Sequence, residues 1–226
     1  MLQFRPANVH GQLGFLSGSV LCTGLLLCSA STPLALSGDI AERTVAAAAP
    51  KAAPETRATI ATGNEGGRYE LTPERRALLN TIRYAEGTWK DGKDKGYRIM
   101  YGGGQFKDLS RHPERVVVKR YSSAAAGAYQ FLPKTWKGVA RELKLNSFEP
   151  RHQDQAALHL AKRRGALGDI DQRGLTKDAM AKLAPEWASF PNRSGRSAYG
   201  QPVKSHQELA RFYSDNLQKL RGQLGA

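Results

Sequence analysis

The sequence predicts an α+β fold, mainly helical, with one small antiparallel β region. Three observations carry this. Apolar residues recur at spacings of three and four over several long segments, and helix-starting and helix-stopping residues bracket those segments. A single short stretch, set around a triple glycine, is instead rich in β-branched and aromatic residues.

The elements follow in chain order. Arg5 and His10 precede an apolar run from Leu13 to Cys28, and small residues follow from Ser29 to Ser37. That order is the order of a secretory signal, so residues 1–37 are expected to be removed after Ser37, with Ala30 and Ala35 as alternative sites. Ser17, Gly18, Ser19, Thr23 and Gly24 interrupt the run, which falls short of the roughly 20 predominantly apolar residues a span requires. No membrane span is therefore expected after cleavage. Residues 38–70 are rich in Ala, Pro, Thr and Gly and read as a flexible linker, which cannot bury enough surface to offset its ordering entropy.

Residues 71–226 are expected to form the folded domain. Thr72 is a helix N-cap, Pro73 and Glu74 suit the first turn, Leu78, Ile82 and Glu86 follow at spacings of four, and Gly87 supplies the stop. Tyr97–Tyr101, the turn Gly102-Gly103-Gly104 and Val116–Val118 are expected to form the β region. Helices are expected over about 130–143, about 149–164 with Gly165 as stop, about 176–187 interrupted near Pro185, and 205 to about 220. The last opens on Ser205 and Glu208 at capping-box spacing.

The chain has 226 residues, and its 34 Lys and Arg against 20 Asp and Glu give a net charge of +14, which attracts polyanions of any kind. A nucleic-acid reading would rest on that charge alone, since no recognition helix or aromatic RNA platform is visible. Both cysteines, Cys22 and Cys28, lie in the expected signal, so the mature chain has no thiol nucleophile, disulfide or cysteine metal site. The histidines, His10, His112, His152, His159 and His206, form no metal-binding spacing with an acid. No metal and no cofactor are expected.

Chemistry is concentrated at Glu86. Its place on the Leu78 and Ile82 stripe, at the negative end of a helix dipole, favours the protonated form that a general acid requires. Alone, that helix would better suit an idle, half-exposed Glu at a frayed end. The surrounding strings decide otherwise: Tyr84-Ala85-Glu86-Gly87-Thr88, Gly96-Tyr97, Gly102-Gly103 with Phe106, Asp108 and His112-Pro113, Gly127-Ala128-Tyr129-Gln130-Phe131, Arg164-Gly165-Ala166-Leu167, and Trp187-Ala188-Ser189-Phe190-Pro191 with Tyr199-Gly200-Gln201. In that order they resemble the lambda-phage-endolysin type of lytic transglycosylase, glycoside hydrolase family 104 of the lysozyme-like superfamily.

The resemblance implies a lysozyme-like fold with its β region beside the active-site groove, Glu86 as the catalytic acid, and Tyr129 and Gln130 lining the groove beside it. Two positions depart from the family: Ala128 replaces an Arg, and Arg98 stands where the phage enzyme is acidic. It implies cleavage of the β-1,4 bond between N-acetylmuramic acid and N-acetylglucosamine in peptidoglycan, leaving 1,6-anhydro ends. The phage enzyme has no counterpart of the N-terminal segment, which points to an exported, extracytoplasmic relative.

A hydrolytic lysozyme would need a second carboxylate. Asp91, Asp94 and Asp108 are the candidates, with Asp108 better suited to a turn. Sugar rings stack on flat side chains, so Tyr97, Tyr101, Phe106 and Tyr199 are expected with Tyr129 and Gln130 as substrate-binding residues. Trp136 and Phe212 sit at core spacing, and Trp187 and Phe190 fit core or substrate contact. A hydrolytic lysozyme and a non-catalytic wall-binding module remain as alternatives. Peptidoglycan strands are the expected partner, and no feature demands more than a monomer.

Overall fold

In the computed structural model of the chain, residues 67–225 are described; the expected signal segment and residues 38–66 of the expected linker lie outside them. The fold is mainly helical with one two-stranded antiparallel sheet, as expected.

The first helix, α1 (Pro73–Ala85), starts where its capping chemistry places it: the Thr72 hydroxyl accepts from the Arg75 amide at 3.3 Å. Every residue from Ala77 to Arg83 is buried, because α1 runs through the middle of the domain against helices on several sides. Of the polar members of that stretch, Thr81 donates to the Ala77 carbonyl, Asn80 to Asn216 and Arg83 Nη2 to the Trp89 and Lys93 carbonyls, while Arg83 Nε is buried without a partner among the described residues.

The β region differs from expectation. The sheet consists of β1 (Val117–Val118) and β2 (Ser122–Ser123), with Val117 opposite Ser123. Tyr97–Tyr101 does not form a strand; Asp94–Arg98 and Tyr101–Gly103 are tight helical turns, and Ile99 and Met100 make only isolated bridges. The cause lies in burial and in where the backbone bonds go. Tyr97, Ile99 and Met100 are all buried, so the half-buried alternation of a surface strand is missing. Side-chain amides take carbonyls that a neighbouring strand would otherwise use: Gln153 donates to Tyr97 and Gln130 to Ile99.

Helix α2 (Pro133–Leu143) begins three residues later than expected, because Gln130 adopts a left-handed φ of +48° and Pro133 takes the first helical turn. Helix α3 (Pro150–Arg163) ends before Gly165 as expected. A short helix the sequence reading did not anticipate, α4 (Leu167–Arg173), follows, its pattern diluted by Gly168. Next come α5 (Lys177–Leu183), capped by Thr176, and α6 (His206–Leu224), capped by Ser205. Helix α6 lies along α1 through Leu209 and Tyr213.

The folded unit starts before Leu71. Tyr69, expected in the linker, is buried, with its N–H and C=O both bonded to the Gln155 amide at 2.7 Å and its hydroxyl 2.8 Å from His159 Nδ1. One aromatic in an otherwise small and polar stretch was enough to extend the domain.

Candidate active site

Glu86 caps the C-terminus of α1, and Gly87, at φ +73°, turns the chain away immediately after it. Thr88 then fastens that turn. Its buried hydroxyl lies 2.5 Å from the Ala128 carbonyl and 3.2 Å from the Arg83 carbonyl. Trp187 donates its indole N–H to the Tyr129 carbonyl at 3.2 Å, and Ser189, two residues further on, donates its hydroxyl to Glu86 Oε1 at 2.5 Å. Three segments far apart in sequence, those holding Glu86, Tyr129 and Ser189, thus close into a triangle of hydrogen bonds around one carboxyl group.

The electrostatics of that carboxyl follow from its position. Desolvation raises its pKa to about 7, against an opposing pull from the Ser189 hydroxyl, which favours the ionised form. No second carboxylate contributes to the shift, and among the described residues Glu86 makes no ion pair. Asp108 is spent elsewhere: exposed, it accepts from the Ser110 amide at 2.8 Å in the turn geometry expected of it.

The other predicted residues divide. Tyr129 and Tyr97 do not line an open groove; they are 1% and 4% exposed, and both hydroxyls donate to Asp154 Oδ1, at 2.5 and 2.8 Å. Burial pushes both phenols well above their ordinary range, which leaves them neutral donors. Gln130 remains partly exposed, but its amide NH2 is directed at the carbonyls of Ile99 and Gly127, so it braces the loop instead of offering donors to a ligand. Tyr101 and Phe106 are half-buried. Tyr199 is 41% exposed, its hydroxyl held by the Pro185 carbonyl at 2.7 Å. These three keep part of their aromatic surface exposed. Trp136, Trp187 and Phe190 belong to the core, whereas Phe212 is only partly buried and stacks on Tyr84, ring centroids 4.1 Å apart.

Sequence reasoning gave no role to Ser189 or Thr88, although both stood inside recognised strings, and it missed the framework beneath the site. Gln153, fully buried, accepts from the Ala128 amide and donates to the Tyr97 and Phe148 carbonyls. Asp154 gathers the two tyrosines and the Arg76 guanidinium, 2.6 Å away. His112 is fixed as the Nε2–H tautomer, because Nε2 faces the Phe131 carbonyl and Nδ1 accepts from the Glu114 amide. Two surface clefts, of about 450 and 350 Å³, lie away from Glu86 and are lined by none of the predicted residues. Among the described residues no His, Cys, Asp and Glu cluster could hold a metal, and no helix is long and apolar enough to cross a membrane.

The model of the Endolysin family matches residues 76–220, a span that takes in all three sides of the triangle. The chain belongs to the Endolysin family. The endolysin of Escherichia phage lambda is 37% identical over 150 residues, 63% of this chain and 91% of that protein. That of Escherichia phage P2 is 33% identical over 147 residues, 59% and 86% respectively. The structure of bacteriophage lambda lysozyme complexed with a chitohexasaccharide superposes with a TM-score of 0.59 at 34% identity, covering 66% of this chain and 96% of that one. A second lambda lysozyme structure gives a TM-score of 0.54 at 31% identity, covering 68% and 96%. The endolysin relationship makes this a lysozyme-type glycosidase that cleaves peptidoglycan. Of the two departures from the family pattern, Ala128 is fully buried and Arg98 donates to the Lys107 carbonyl.

Proposed function

We propose that the protein is an exported lytic transglycosylase that cuts the N-acetylmuramic acid to N-acetylglucosamine β-1,4 bond of peptidoglycan, with Glu86 as its single acid and base. The observation that carries this reading is a lone carboxyl group, raised to about 7 by desolvation and held by one serine, with no carboxylate partner contributing to its titration. A hydrolase of the two-carboxylate kind places its second group about 5 to 9.5 Å away. A transglycosylase needs one group used twice.

In the first step the protonated Glu86 gives its proton to the bridging oxygen, the glycosidic bond breaks, and the substrate's own acetamido group stabilises the cationic C1. In the second, the Glu86 carboxylate takes the proton of the C6 hydroxyl as that oxygen closes onto C1. The product is a 1,6-anhydro sugar, Glu86 is protonated again, and no water is consumed. A pKa near neutrality leaves both forms of Glu86 populated at the working pH. Tyr101, Phe106 and Tyr199 are the residues whose exposed ring surface suits the apolar faces of the sugars.

The apolar run from Leu13 to Cys28 supports export, and the protein acts as a monomer on glycan strands without a cofactor. Mass spectrometry of fragments released from purified peptidoglycan by the wild type and by Glu86→Gln tests the reading. Anhydro ends are expected, lost by a factor of roughly 10³ or more in the variant. Reducing ends would make the protein a hydrolytic lysozyme, and release undiminished in the variant would remove Glu86 from the chemistry.

A further inference from the structure

Residues 87–131, which link α1 to α2 and hold the Thr88 and Ala128 side of the site, carry nine Lys and Arg against four Asp and Glu. None of the nine makes an ion pair among the described residues, and the one acid of the stretch that is paired, Glu114, takes Lys137 from α2. Two of these cations, Lys119 and Arg120, form the turn of the β1–β2 hairpin, where the Lys119 amide donates to the Tyr121 carbonyl at 3.0 Å. That hairpin borders the site. At its foot the Ala125 carbonyl accepts from the Tyr101 amide at 2.8 Å, and three residues on the Ala128 carbonyl receives the Thr88 hydroxyl beside Glu86. The turn is also held against the residue after Tyr101. Gly102 adopts φ +80°, and the Lys119 stem lies on its bare backbone, so that a Cβ there would sit 3.1 Å from Lys119 Cε and 3.2 Å from Cγ. The exposed ammonium, one bond beyond Cε, is thereby kept close to a ring suited to the sugars. The Arg120 guanidinium is placed in turn by the Tyr121 ring, 5.6 Å from its centroid.

Unpaired cations gathered at the border of a site complement an anionic substrate. An uncharged β-1,4 glycan offers them nothing. Peptidoglycan does, because every second sugar is N-acetylmuramic acid, whose lactyl ether ends in a carboxyl that is either free or extended by a stem peptide with carboxylates of its own. Negative charge therefore hangs from alternate sugars of the strand, beside the bond that is cut. We propose that Lys119 and Arg120 pair with carboxylates borne by the N-acetylmuramic acid side group of the strand held at Glu86, and so select muramyl glycan over uncharged glycan. The inference rests on peptidoglycan as the substrate and is independent of the choice between transglycosylase and hydrolase.

The test reads binding, not cleavage, in a Glu86→Gln background. Calorimetric titration compares soluble peptidoglycan strands, freed of phosphate polymers, with the same strands after their carboxyls are converted to methylamides. The charged strands are expected to bind tighter by about fivefold or more at low salt, and about 0.5 M NaCl is expected to remove most of that preference. Adding Lys119→Gln and Arg120→Gln is expected to abolish the preference while affinity for the methylamide strands stays within about twofold, which also shows that the variant keeps its fold. Lys119→Arg should retain the preference. Lys219→Gln, at the end of α6 where Arg221 pairs with Glu74 of α1, should change it by less than about twofold. Strands stripped of stem peptides by an amidase separate the two sources: a preference kept there assigns the lactyl carboxylate, and one confined to intact strands assigns the stem peptide. Equal affinity for charged and methylamide strands, a preference that survives the double variant, a preference seen only on strands retaining phosphate polymers, or an equal loss in Lys219→Gln would each overturn the proposal, the last in favour of net charge alone. Cleavage that persists in Glu86→Gln would count against the catalytic reading instead, and the two failures are thereby distinct.

Discussion

A carboxyl group that must be protonated to begin a reaction and ionised to complete it works best with its pKa close to the working pH. Burial holds Glu86 at about 7, so the form able to donate declines above that value. Initial rates of glycan cleavage are accordingly expected to fall by about tenfold per pH unit on the alkaline side of 7. Ser189 bears on the same limb. Its hydrogen bond lowers the carboxyl pKa, so in Ser189→Ala the pKa rises and the falling limb moves to higher pH. The rate at the optimum is expected to drop by about tenfold as the carboxyl loses its positioning partner. A pH profile of both proteins checks this, and a limb that stays in place in the variant would reduce Ser189 to loop packing. Glu86 was legible in the sequence because the Tyr84–Thr88 string around it and the strings that follow it resemble a known family; the helical stripe alone did not single it out. Ser189 was not, because a bond spanning 103 positions leaves no local pattern. Tyr97 and Tyr129 misled for the same reason: aromatic residues near turns suggest a groove, but Asp154, which turns their hydroxyls inward, lies 57 and 25 positions away.

Helices announced themselves through their ends. Thr72 and Ser205 cap where the sequence placed them, and Thr176 caps the helix expected to start about there, since an N-cap depends on a hydroxyl and an amide three residues apart. The region between α1 and α2 did not, because the side-chain amides of Gln130, within it, and Gln153, from α3, shape it, and side-chain amides have no periodicity. Gly127 shows how tightly that region is built. It adopts φ +81°, and a Cβ there would sit 2.3 Å from Gln153 Oε1 and 2.8 Å from Phe148. Gly127→Ala is expected to cost roughly 3 kcal/mol, read by chemical denaturation. Cleavage should suffer too, because Thr88 and Trp187 fasten to the two residues that follow Gly127. Gly138, in α2 with nothing near its missing Cβ, is the contrasting case. Gly138→Ala is expected to stabilise by about 0.5–1 kcal/mol through helix propensity alone.

At the scale of the whole molecule, the buried polar residues of α3 hold distant segments together. Asp154 ties α1, through Arg76, to Tyr97 and to the Tyr129 loop, and Gln155 does the same for the chain entering the domain. That entry is where a boundary read from composition and a boundary set by packing differ. A fragment beginning at Leu71 would keep every helix yet lose Tyr69, leaving the buried Gln155 amide without either backbone partner and His159 without the tyrosine hydroxyl. Each orphaned buried group costs about 1–3 kcal/mol, and the lost aromatic burial adds to it. Relative to a fragment beginning at Gly67, the shorter one is expected to be less stable by about 3 kcal/mol, which for a domain of this size corresponds to a thermal midpoint about 10 °C lower. Tyr69→Ala in the longer fragment should lose less, because its backbone still satisfies Gln155 and only the ring and its hydroxyl are removed. If thermal denaturation placed the Leu71 and Gly67 fragments at the same midpoint, the entry segment would be dispensable and the domain would begin where composition alone puts it.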